Sequence, residues 1–144
     1  MPDIKHLITI DAPAEYVLKL VTSGAGFAQW WAADVTDDVA SGEVELAFFN
    51  RATTYRFRPL RTSPPPRTEW HCISGKEWDG TRLLFDIEQK EEHSVLRFTH
   101  AGWRVETDYF LSCNTTWGVL MFRLKAAGEG KKPGPLFTHA GLQT

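Results

Sequence analysis

An α+β fold, with one long helix laid across an antiparallel sheet, is what the order of residues in this chain predicts. Three observations carry the prediction. The first is the stretch from Glu106 to Ala127, which has no proline and a single glycine. In it Phe110, Cys113, Trp117, Leu120, Met121 and Leu124 recur at helical spacing and form one apolar stripe. The second is the alternation of apolar and polar residues that runs, with breaks at Gly, Asn and Pro, through most of residues 34 to 101. The third is the separation of the two patterns along the chain, which favours helices packed on one face of an antiparallel sheet.

Taken in order, residues 4–10 read as a first strand with Ile4, His6, Ile8 and Ile10 on one face. Asp11 is placed to cap a helix over residues 13–21, with Pro13 in its first turn and Val17, Leu20 and Val21 inward. Thr22, Ser23, Gly24 and Gly26 interrupt that helix, and residues 25–31 resume as a second short one. Residues 35–39 form a strand or strand edge. Residues 42–49 and 54–61 alternate on either side of a turn at Asn50 and Arg51. Pro64, Pro65 and Pro66 stop the sheet, because proline cannot donate to a ladder. Residues 67–73 bring Trp70 and Cys72 together, residues 75–80 are a loop, and residues 81–90 and 94–101 pair across the charged turn from Glu91 to His93. About six or seven strands result, with one buried and one wet face. The acids Glu43, Glu45, Asp86 and Glu88 fall on the wet phase.

The long helix has Glu106 and Asp108 near its start, Arg123 and Lys125 near its end, and Gly128 as its stop. At 1.5 Å per residue it is about 33 Å long. Full burial of Trp117 alone contributes about 4–6 kcal/mol as an upper bound. The tail after Gly128, rich in Gly and Pro, reads as irregular.

Size and composition narrow the function. The 144 residues suit one domain able to bury roughly 70% of its unfolded surface. A formal charge of −2 leaves no electrostatic footprint for nucleic acid or an anionic membrane. There is no apolar run of the roughly 18 residues a membrane span needs, and no basic, apolar leader at the N-terminus. Cys72 and Cys113 do not make a disulfide framework and sit in apolar patterns, as buried free thiols do. These features set the expectation of a cytoplasmic protein. The six Trp and nine Phe give more ring area than most chains of this length. The rings either fill a large core or line a cavity in it.

One set of residues carries a family resemblance. Pro13, Ala14, Glu15 and Val17 follow the first strand, then Trp30 and Trp31. Trp78, Gly80, Thr81, Leu83 and Phe85 come next, then Leu96, Phe98, His100, Gly102 and Trp103. Tyr109, Cys113, Trp117, Leu120, Leu124 and Lys125 follow, and Glu129, Gly130 and Pro133 complete the set. In this order the chain resembles the Bet v 1-like, START-related helix-grip superfamily, within it the branch typified by the C-terminal domain of the activator of Hsp90 ATPase. The resemblance spans residues 4 to 133. It implies a curved sheet gripping the C-terminal helix, with a cavity between them. Members of the superfamily include lipid and sterol carriers, hormone-binding proteins, polyketide aromatase/cyclases and chaperone-related domains, so the fold does not select one activity. The activator's separate N-terminal domain has no counterpart in this sequence, so the expectation does not extend to full co-chaperone activity.

On that picture Phe48, Phe57, Trp70, Phe85, Phe98, Trp117 and Met121 line the pocket. Of Trp30 and Trp31, one gates the entrance and the other packs, because adjacent helical residues cannot both face inward. His100 shares a strand face with Leu96 and Phe98. It is either a group that orients a ligand or moves a proton, or a structural histidine bonded to the protein itself. Asn114 either bonds a ligand or meets backbone or water at the edge of the helix's inward arc. The histidines His6, His71, His93, His100 and His139 show no metal-ligand spacing, no CxxC or GxSxG occurs, and no glycine loop cradles a phosphate. No cofactor is expected. Three functions remain in view: binding of a small hydrophobic or amphipathic molecule without catalysis, docking of a chaperone or other protein partner, and a cyclase- or dehydratase-like enzyme using His100.

Overall fold

The structure is a computed structural model, described here for residues 1–60 and 67–143. The triple proline at Pro64, Pro65 and Pro66 lies outside the described residues. Strand β1 (Ile4–Ile10) is followed by helices α1 (Ala14–Val21) and α2 (Gly24–Phe27). Strands β2 (Asp34–Asp37), β3 (Val44–Phe48), β4 (Thr53–Pro59), β5 (Arg67–Ser74), β6 (Arg82–Lys90) and β7 (His93–Ala101) come next. Helix α3 (Asp108–Gly128) and two short strands, β8 (Phe137–Thr138) and β9 (Gly141–Leu142), complete the chain. The first seven strands form one antiparallel sheet in the order β1-β7-β6-β5-β4-β3-β2. The hairpins β2 to β7 run across it strand by strand, while β1 sits at the far edge from β2. Helices α1 and α2 carry the chain over the sheet between those edges. The predicted α+β helix-grip architecture is therefore present.

The alternation places the residues as predicted. Leu83, Phe85 and Ile87 of β6 and Leu96, Phe98 and His100 of β7 are buried on one face. On the other face Arg51 pairs with Asp34 and Glu45, Arg56 with Glu43 and Glu45, and Arg97 with Glu88. A register shift between Arg56 and Phe57, where β4 meets β5, adds the local twist that lets a sheet curve around a helix. The predicted inward residues of α1, Val17, Leu20 and Val21, are all buried, as is the whole α3 stripe.

Element ends differ from expectation for local reasons. Pro13 is the N-cap of α1 rather than its first residue, and no side chain caps it. Its first amide, on Ala14, is met instead by the Gln89 side chain across the fold at 2.7 Å. Helix α2 ends at Phe27, several residues short of the expected Trp31. His93 belongs to strand β7 and not to the turn before it. Helix α3 starts at Asp108 behind a Thr107 side chain that accepts from the Phe110 amide. It also runs through Gly128. There a Cβ would lie 3.0 Å from the Ile10 side chain, so this glycine lets the helix end close against β1 and α1. The tail is not irregular throughout: β8 and β9 pair, and Ala32 bridges to Phe137. Arg123 holds the tail, its guanidinium donating to the carbonyls of Pro133, Gly134 and Gln143 at 2.8, 3.2 and 2.9 Å.

Gly128→Val forces a side chain into the contact with Ile10 and is expected to lower stability by about 1–3 kcal/mol, as overpacking does. Urea denaturation at neutral pH measures it.

Candidate functional site

Between α3, the β3–β4 hairpin, the loop before β6 and the C-terminal tail lies a cavity of about 280 Å³. Its inner surface is made by Trp31, Tyr55, Trp78, Cys113, Trp117 and Leu120. Buried Phe48 closes it beside Tyr55, and toward solvent it is framed by Phe49, Thr53, Tyr109, Ser112, Thr116, Phe137 and Leu142. Local structure explains how these side chains converge. Phe48 and Tyr55 lie on adjacent strands, and their rings sit 5.4 Å apart. Gly75, at φ +118°, has no side chain where the Tyr55 ring lies, so the loop carrying Trp78 folds directly over that ring. Trp78 then stacks on Tyr55 at 4.1 Å with planes 9° apart, and on Trp117 at 6.0 Å with planes 18° apart.

The polar side-chain groups of the lining residues are hydroxyls, indole N–H groups and one thiol, and no lining residue is charged. The Tyr55 and Tyr109 hydroxyls bond to each other. Burial raises the pKa of Tyr109, with the neighbouring Cys113 adding to the effect. Burial also raises the Cys113 thiol, partly offset by the Trp78 indole and the Tyr109 hydroxyl beside it, while Glu77 adds to the rise. The Trp78 N–H lies against the Cys113 sulfur without reaching hydrogen-bond geometry and has no partner among the described residues. Both thiols stay protonated at neutral pH; burial pushes Cys72 up to about 12.

The residues expected from sequence divide. Phe48 and Trp117 line the cavity. Phe57, Phe85, Phe98 and Met121 are buried in the core beside it, with Phe98 4.3 Å from Trp117 and 5.1 Å from Phe85. Trp30 and Trp70 are core rings whose N–H groups donate to the carbonyls of Leu20 and Val21, each at 2.9 Å. The expectation that only one of Trp30 and Trp31 is core fails: they are 0% and 1% exposed. Helix geometry no longer holds at these two residues, so both can point inward, stacked at 5.6 Å, with Trp31 the one that reaches the cavity. Asn114 is exposed on α3 and bonds His6 of β1 at 2.9 Å. Sequence reading missed Tyr55, Trp78, Tyr109, Cys113 and Leu120 as lining residues. Trp78 and Tyr109 carried a signal only as members of the family pattern, while Cys113 also stood on the apolar stripe of α3.

His100 is not among the lining residues. It is fully buried, and both ring nitrogens are engaged. The Trp117 indole can only donate, so Nδ1 accepts from it at 3.1 Å and the ring proton sits on Nε2, which donates to the Thr81 hydroxyl at 2.8 Å. That hydroxyl in turn donates to the Trp78 carbonyl at 2.5 Å. Burial lowers the His100 pKa to about 3. Among the described residues no group of three or more His, Cys, Asp or Glu side chains converges as metal ligands would. No described helix is long and apolar enough to cross a membrane.

Among solved structures, the Aha1 dimer from Colwellia psychrerythraea is 30% identical, with a TM-score of 0.79, and the match covers 92% of this chain and 99% of that one. The chain belongs to the Aha1-like family. The Aha1-like chain also matches CalU16 from Micromonospora echinospora, at 18% identity and TM-score 0.71, over 92% of this chain and 68% of that one. DynU16, described as a putative protein in the dynemicin biosynthetic locus, is 15% identical with TM-score 0.72, over 94% of this chain and half of that one. At those identities the likeness is one of fold. No family model and no curated protein matched.

The His100 network makes two linked predictions. His100→Ala orphans the Trp117 and Thr81 groups and is expected to lower unfolding free energy by more than about 2 kcal/mol at pH 7.5. In the parent, the folded state keeps His100 neutral while the unfolded chain takes up a proton near pH 6.5. The stability tied to this residue is therefore complete above about pH 6.5 and is lost as pH falls from there toward 3. Urea titrations from pH 7.5 to 4.5 should show a decline that is shallower in His100→Phe.

Proposed function

We propose that this Aha1-like chain binds a small hydrophobic or amphipathic molecule, without catalysis, in the cavity between the sheet and α3. The observation that carries the reading is an uncharged cavity of about 280 Å³ walled by aromatic rings in a chain whose core is otherwise filled by such rings. An apolar cavity of about 150 Å³ is enough to take up benzene, so this one has room for a one- or two-ring compound. An acid/base role for His100 has little support, since the ring is spent on Trp117 and Thr81 and lies behind the cavity wall.

The test compares natively purified parent protein with Ser112→Trp, which blocks the cavity from its exposed rim and disturbs no buried contact. Organic extracts of both are analysed by mass spectrometry, and the apolar compounds found are titrated back into each protein. Saturable one-to-one binding to the parent, weakened at least tenfold in Ser112→Trp, is the expected result. Equal binding to both proteins would move the ligand elsewhere on the surface.

A second reading, protein docking, is favoured by a separate observation. Leu111, Val119 and Phe122 are 52%, 43% and 68% exposed, and they share the outer face of α3 with Thr115 and Gly118. The solved Aha1 relative is described as a dimer, which makes a second copy of this chain the natural occupant of that face. Phe122→Asp is expected to shift a dimer to monomer in light scattering at micromolar concentration and to abolish the rise of the melting temperature with protein concentration that a dimer shows. A parent that is monomeric at millimolar concentration would rule the reading out.

A further inference from the structure

The wet face of the sheet divides into two halves. Over β2, β3 and β4 its charges are matched, with Arg51, Arg56 and Arg58 each paired to Asp34, Glu43 or Glu45. Over β1, β7, β6 and β5 they are not. Strand register aligns Leu7, Arg97, Asp86 and Arg67 in one row across those strands, and Lys5, Thr99, Leu84 and Glu69 in the next. Glu69 is buried, with His71 and Arg82 at 3.4 and 3.8 Å, and Arg97 pairs with Glu88 at 2.9 Å. Lys5 and Arg67 are exposed and have no ion-pair partner among the described residues.

These side chains frame a recess of about 480 Å³ that shares no lining residue with the cavity. Leu7, 63% exposed, and the half-buried Leu84 supply its apolar part. Lys5, Arg67 and Arg97 supply positive charge against the single carboxylate of Asp86, on a chain whose net charge is −2. That combination selects the occupant. A nucleic acid or a free phosphate gains nothing from the leucines, and Asp86, set between Arg97 and Arg67, repels a continuous polyanion. Separate carboxylates on either side of an apolar residue avoid Asp86 and use both features. Strands β1 and β5 are three strand spacings apart, about 14 Å. That is roughly two to three turns of a helix at about 5.4 Å a turn. An amphipathic helix with leucines on one stripe and acids beside it spans the distance.

We propose that this face of the sheet docks an acidic amphipathic segment of a partner protein, its carboxylates on Lys5 and Arg67 and its apolar side chains on Leu7 and Leu84.

Fluorescence anisotropy with a labelled peptide of two Glu-Leu-Glu-Glu-Leu-Leu-Glu repeats tests this. The peptide is expected to bind one-to-one, and at least about threefold more weakly in 300 mM than in 50 mM salt, because surface charges are screened. Lys5→Glu and Arg67→Glu together should weaken binding about tenfold, and Leu7→Ser about threefold. The pair Lys76→Glu, Lys132→Glu makes the same change of net charge at exposed sites outside the recess and should bind as the parent does. Every side chain replaced is exposed, so the melting temperature should not move in any of these variants. Equal weakening in the two double variants shows long-range charge alone and overturns the assignment. So does equal affinity for polyglutamate of the same charge, tighter binding of a thymidine oligonucleotide, or no binding at millimolar protein.

Discussion

The hydrogen bond from Trp117 to His100 is the contact on which the arrangement of helix against sheet depends. Apolar packing between a helix and a sheet is tolerant of small slides, since one methyl group replaces another. An indole N–H and an imidazole nitrogen that are both buried tolerate no slide, because each loses its only partner. The bond thus sets where α3 sits along β7. The chain of donors continues through Thr81 to the Trp78 carbonyl, so the loop that roofs the cavity is held by the same residues that position the helix. His100 is thus tied at both ring nitrogens, to the helix through Trp117 and to the loop through Thr81.

The aromatic residues do two jobs. Phe27, Trp30, Trp70, Phe85 and Phe98 fill the space under α1 and α2, where the two indole N–H groups bond the last turn of α1 and its C-cap side. Trp31, Tyr55, Trp78 and Trp117 belong to the same continuous cluster but face an empty volume on one side. An unfilled apolar surface forfeits contacts, and burying these rings without a guest leaves stability unused. A molecule bound there would supply those contacts, and occupancy of the cavity and stability of the fold would then rise together.

Much of the fold is legible in the sequence because two periods are strong and sustained. The α3 stripe and the β6–β7 alternation each persist long enough to identify both the element and its buried face. The site is less legible. Alternation tells that His100 faces the helix, but not whether core or cavity lies there, because that depends on which ring from another element arrives first. Trp117 occupies that position. Trp78 sits in a loop where periodicity is silent, and its placement follows from a glycine that lets the loop cross Tyr55. The Trp30–Trp31 pair misleads because the helical rule is applied past Phe27, where the chain has left helical geometry. Asn114 lies one position off the buried arc, near enough in sequence to look inward and far enough to meet His6 at the surface. The β8–β9 hairpin is too short for any alternation to announce it.

The grip of Arg123 on the carbonyls of Pro133, Gly134 and Gln143 bears on the order in which the molecule is completed. Phe137 and Leu142 complete the cavity rim, and they follow every other lining residue along the chain. During ribosomal synthesis the sheet and α3 have all their residues before this last wall is made. The outer rim of the compartment therefore depends on residues that join the fold last, and Arg123 is what holds them there.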